Sequence, residues 1–222
     1  MTVQAQPTET QACEDCDFVE WHQGCPWCAV WVLRVDVPQL EQWVASARGA
    51  MAPWLLPRYA RQPHVTVAYR GLMDGPVAHC AAEFGALQWQ QDVQTLQAAA
   101  TAPWVLQLGG VGSFSTVPYI GVMLDGTLQH VQRVLAASQD EQGWQYVPHV
   151  TLGHFSQQVP MTQVMQPLRD CGVGDAILQI PVEALWLARY RTEDIAGPLH
   201  FEGCFDLRTQ TYQAQPGALL VA

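Results

Sequence analysis

Hydrophobic and polar positions alternate between two periods along this chain. The run AVWVLRVDV, residues 29–37, is near-continuously apolar and β-branched, which predicts a buried or half-buried strand. Pro38 suits the first position of a helix over residues 38–50, where apolar residues return at helical spacing. After a Pro- and Arg-containing stretch (Pro53, Pro57, Arg58, Arg61, Pro63), the segment HVTVAYR alternates as a strand that Gly71 is expected to end. Further helices are predicted at 87–100, 127–139 and 161–170, and further strands at 104–108, 119–124, the second HVT segment, 184–190 and 199–207. The glycines of GGVG, residues 109–112, read as a hairpin turn. Two similar strand–helix–strand units in this mixed order predict an α+β protein of two quasi-equivalent lobes, not a doubly wound parallel sheet. Residues 1–28 read as an acidic, Cys-rich appendage, 29–207 as the two-lobed domain and 208–222 as a tail.

Composition narrows the chemistry. The net charge is −10, and all ten basic residues are Arg. Without Lys there is no Walker phosphate loop and no Schiff-base or lysyl-adenylate nucleophile. The acidic balance argues against a long nucleic-acid track, which carries a basic stripe, but admits a compact phosphate ester held by a few Arg. The first 12 residues are polar and no apolar run reaches about 18 to 20 residues, so the expected setting is cytoplasmic and soluble.

Seven Cys without an export signal disfavours a disulfide framework. Cys13, Cys16, Cys25 and Cys28 form C-x2-C-x8-C-x2-C, a candidate structural zinc staple for the N-terminal segment, with His22 as an alternative ligand. The competing reading is four reduced thiols without metal, or a redox-labile pair. Cys80, Cys171 and Cys204 read as small buried apolar residues.

The strongest signal is a repeat. Pro-His-Val-Thr begins at Pro63 and again at Pro148, placing His64 and His149 85 positions apart. On a strand, His and the second-next Thr share a face. Two such units across a groove supply a neutral imidazole as base, an imidazolium as acid and two hydroxyls for the non-bridging oxygens of a phosphodiester. That chemistry needs no metal. Tyr69, Phe114, Tyr119 and Phe155 could stack on a base or simply pack. Arg58, Arg61 and Arg70 could steer a phosphate or be ordinary solvated charge.

These paired motifs, their separation and the two halves resemble the two-histidine (2H) phosphoesterase superfamily, most nearly its bacterial 2′-5′ RNA ligase and cyclic phosphodiesterase branch, over about residues 29–207. The resemblance implies two pseudo-symmetric lobes, each an antiparallel sheet with packed helices, around a central groove, with each motif on a central strand. It also implies that His64 and His149 are catalytic and that Thr66 and Thr151 bind phosphate. Many family members carry a basic residue shortly after the second Thr; here Gly153 and His154 stand there. The expected substrate is a 2′,3′-cyclic phosphate or 2′-5′ linkage of a short RNA end or small nucleotide, cleaved without cofactor or, in reverse, ligated. The same groove would also serve a non-catalytic RNA-end or nucleotide-binding module, which would bind without turnover.

Overall fold

The computed structural model describes residues 7–75, 80–136, 145–173 and 176–220. The five-stranded sheet has the order β2-β1-β7-β8-β9, and the four-stranded sheet β5-β4-β3-β6. The first comprises β1 (Trp27–Arg34), β2 (His64–Met73), β7 (Ala184–Arg191), β8 (His200–Asp206) and β9 (Thr211–Ala214). The second comprises β3 (Trp104–Ser113), β4 (Pro118–Val122), β5 (His149–Thr151) and β6 (Leu178–Val182). All strand pairs are antiparallel.

Five helices accompany them: α1 (Val19–His22), α2 (Pro38–Met51), α3 (Ala86–Ala99), α4 (Gly126–Ala136) and α5 (Met161–Asp170). None of the described helices is long and apolar enough to cross a membrane. Pro38 does open α2, where its missing N–H costs nothing. Residues 137–139 of the expected fourth helix lie outside the described residues.

The two β-α-β units, β1-α2-β2 and β4-α4-β5, are equivalent in connection but exchange their helices. α4 links two strands of the small sheet yet packs on β2 of the large one, beside α3. α2 links two strands of the large sheet yet packs on α5, which lies against β3 of the small one. One continuous apolar core therefore runs through both lobes, from Trp31 and Leu33 of β1 to Leu106 and Leu108 of β3 and Val164 of α5. Each motif strand lies at an edge of its sheet, not at its centre, because β2 pairs only with β1 and β5 only with β4. The two edge strands, β2 and β5, meet.

Several expectations are corrected. Gly71 (φ +99°) does not end β2, which continues to Met73. The Gly-rich segment lies inside β3, where a register irregularity between Leu108 and Val111 absorbs Gly109 and Gly110. β5 is only three residues long, because Gly153 adopts φ +151°. The described parts of the expected appendage and tail belong to the folded body. Thr10 and Cys13 donate backbone hydrogen bonds to Val159 and Phe155 (2.9 and 2.7 Å), and residues 211–214 form β9 on the large sheet.

The zinc staple is not built. Cys25 is disulfide-bonded to Cys80, which removes one thiolate of the proposed four and corrects the expectation of reduced cysteines. Cys28 is buried on β1, Cys13 turns its thiol to the Thr116 carbonyl, and Cys16 is exposed beside Glu14. His22 is engaged by Asp17 at 2.7 Å. Among the described residues no three His, Cys, Asp or Glu side chains converge as a metal site.

Candidate active site

The register of β1 and β2 decides which side chains face the groove. Arg34 lies opposite His64, and Val32 opposite Thr66. A shift then places both Val67 and Ala68 on the core side and returns Tyr69 to the groove side, opposite Val30. In β5, Gly121 is opposite His149 and Tyr119 opposite Thr151, while Val150 enters the core. Each strand thus presents His and Thr on its outer face and apolar residues inward, as period two requires.

The imidazoles are fixed alike. Nδ1 of His64 lies 2.7 Å from the carbonyl of Gln62, and Nδ1 of His149 lies 2.7 Å from the carbonyl of Val147. A carbonyl only accepts, so each Nδ1 carries the proton and each Nε2 presents a lone pair. Burial lowers the pKa of His64 to about 4, with the charges of Arg61 and His149 acting the same way and the Gln62 carbonyl opposing. Burial lowers that of His149 too, against the Val147 carbonyl. Both rings are therefore neutral near pH 7, and an arriving anion would favour protonating one of them.

Each lobe also lends a tyrosine to the other lobe's motif. Tyr146, three residues before His149, donates its hydroxyl to the Thr66 carbonyl at 2.9 Å. Tyr59, five residues before His64, lies beside Thr151 and meets the His154 ring edge-on at 5.4 Å. The segments 54–56 and 154–156 run side by side, with Leu56 donating to the His154 carbonyl at 2.8 Å and Ser156 to that of Trp54 at 2.8 Å. His154, at the place where many relatives are basic, thus packs half-buried against Tyr59 with its pKa lowered by burial and by Arg61. Neither tyrosine is signalled by the motifs, since their partners lie in the opposite half of the chain.

Aromatic rings shape the second motif. Phe114 and Tyr119 stand 5.0 and 5.2 Å from the His149 ring. A Cβ on Gly112 would come within 2.5 Å of the Tyr119 ring, so this glycine makes the space in which that ring lies. Phe155 is fully buried core, whereas Tyr69 stays partly exposed on the groove side. Of the candidate arginines, Arg70 is buried against Asp92 at 2.8 Å, and Arg58 bridges Asp15 and Asp194. Both are ion-paired with carboxylates; among the described residues Arg61 is not.

Two antiparallel sheets meeting at paired His-x-Thr edge strands define a two-histidine phosphoesterase arrangement. The chain belongs to the 2′-5′ RNA ligase superfamily, whose family model matches residues 36–194. Similar solved structures include one described as a phosphoesterase (17% identity over 74% of this chain and 88% of that one, TM-score 0.45). E. coli LigT complexed with phosphate is similar at 16% identity (74% and 87% covered, TM-score 0.45). E. coli LigT in apo form is similar at 14% (79% and 93%, TM-score 0.46). No curated protein matches the chain in sequence.

Proposed function

We propose that the chain is a phosphodiesterase that cleaves a 2′,3′-cyclic phosphate or a 2′-5′ phosphodiester, at an RNA end or in a small nucleotide, by two-histidine acid–base catalysis without metal. The observation that carries this reading is the identical fixing of His64 and His149. In both, the i−2 carbonyl holds Nδ1–H and leaves Nε2 as the working atom. One Nε2 deprotonates the attacking water while the other imidazole, protonated in the complex, delivers its proton to the departing ribose oxygen. The Thr66 and Thr151 hydroxyls donate to the non-bridging oxygens as charge builds there. With a ribose 5′-hydroxyl in place of water as the nucleophile, the same step opens the 2′,3′-cyclic phosphate, protonates the departing 3′ oxygen and forms a 2′-5′ linkage, and it consumes no nucleoside triphosphate.

The test is hydrolysis of nucleoside 2′,3′-cyclic phosphates and 2′-5′ dinucleotides in the presence of chelator. Wild type is expected to turn over, and His64→Ala and His149→Ala each to lose roughly 10²- to 10⁴-fold in kcat. Undiminished turnover by either variant removes the mechanism. Binding without turnover in the wild type would identify a non-catalytic module instead.

A further inference from the structure

In a protein of net charge −10, the question is what cation receives a phosphate. Six of the ten arginines are ion-paired with carboxylates. Arg133 and Arg169 sit exposed on α4 and α5. Arg48 donates to the Tyr59 carbonyl and covers the Tyr59 ring at 5.5 Å.

Arg61 is different. Among the described residues no carboxylate pairs with it. Its guanidinium lies 4.1 Å over the ring of Tyr190 of β7, which pairs with Cys28 of β1. Nε donates to the Gly197 carbonyl at 3.3 Å and Nη2 to the Ile195 carbonyl, so the plane is fixed by neutral acceptors and Nη1 takes no part in either bond. A guanidinium held this way keeps its full charge and pre-sets its remaining donors. Arg61 stands three residues before His64, and its charge acts on His64 and His154 in the same direction as their burial.

We propose that Arg61 is the phosphate-binding cation of the groove, donating from Nη1 to a non-bridging oxygen of a single phosphodiester or of its monoester product. This rests on the phosphodiester reading of the site but concerns binding, not proton transfer. One fixed cation with two neutral imidazoles suits one phosphate group and not a polyphosphate chain.

Inorganic phosphate is the probe. Its titration is followed through the imidazole proton resonances of His64 and His149, assigned from the two His→Ala variants. Arg61→Gln is expected to weaken phosphate binding roughly tenfold or more and to raise KM for a 2′,3′-cyclic nucleotide. Arg61→Lys should recover part of the loss, and Arg58→Gln should bind as wild type does. Phosphate affinity unchanged in Arg61→Gln, or no phosphate binding by the wild type, overturns the proposal.

Should Arg61→Gln not fold, phenylglyoxal labelling of the wild type followed by mass spectrometry decides the matter. Phosphate should slow modification of Arg61 at least about fivefold, by occupying its free donor, and spare Arg208 that effect. Equal rates with and without phosphate overturn the proposal. Arg61-dependent phosphate binding without any cyclic-nucleotide turnover would instead sink the catalytic reading and leave the role of Arg61 standing.

Discussion

At the scale of single residues, the site depends on buried imidazoles that stay neutral. His64 titrates near 4 in the folded chain, against about 6.5 when unfolded. The unfolded state therefore takes up its proton first as pH falls. Stability contributed by the neutral ring is complete above pH 6.5 and is lost between about 6.5 and 4. Acid unfolding of the wild type should steepen in that window, and His64→Gln should flatten it, by at most about 3 kcal/mol. His149, lowered by the same burial, adds in the same direction. The hydroxyls carry a separate expectation: Thr66→Val and Thr151→Val should each reduce kcat about 10- to 100-fold while leaving the melting temperature within a few degrees of wild type. His64, His149 and both Thr were legible as a constellation because period two fixes which side chains share a strand face.

At the scale of elements, the two motif strands are sheet edges held by partners from the other half of the chain. The hydroxyl of Tyr146 ties the segment before β5 to the backbone of β2. Tyr146→Phe leaves the Thr66 carbonyl without that donor and should cost about 1 kcal/mol in denaturant unfolding. Gly112 on β3 keeps room for the Tyr119 ring beside His149. A Gly112→Ala methyl would displace that ring, destabilising the protein by about 1–3 kcal/mol and shifting the His149 imidazole resonances. Helices α2 to α5 and most strands were readable from periodicity, with boundaries set by Pro38 and by the apolar runs; α1, inside the expected appendage, was not. β6 and β9 were not anticipated: residues 211–214 have little apolar character, and only pairing with β8 makes them a strand. The glycines of β3 suggested a turn because glycine frees the backbone, whereas here only Gly110, at φ +71°, uses that freedom, and Gly109 and Gly112 allow the Ala176 carbonyl and the Tyr119 ring to come close.

At the scale of the molecule, two lobes share one core and exchange helices, so neither β-α-β unit buries its own apolar face alone. The Cys25–Cys80 disulfide fastens the start of β1 to the chain after β2 across a sequence separation of 55. Closing a loop of that length stabilises by about 4 kcal/mol on the chain-entropy account. Cys25→Ser with Cys80→Ser, or added reductant, should therefore lower the unfolding midpoint clearly, whereas chelator should leave it unchanged. An unaltered midpoint on reduction would show that the bond contributes nothing to the native state. The spacing of four N-terminal cysteines pointed to zinc because C-x2-C pairs match thiolate geometry. Cys80, remote in sequence, lies close enough in space to take Cys25.

By itself the sequence determined the fold class and singled out the paired His-x-Thr motifs. A duplicated His-x-Thr after proline and a strand–helix–strand repeat are local patterns, and local patterns follow from backbone period and residue type. Tertiary structure alone decided that the two motifs occupy facing edge strands, that Tyr59 and Tyr146 cross between halves, and that Arg58 and Arg70 are spent on carboxylates while Arg61 is not. Each of these depends on contacts between residues far apart in the chain, and the partner of a charge or a thiol is a matter of distance in space, which sequence spacing does not encode.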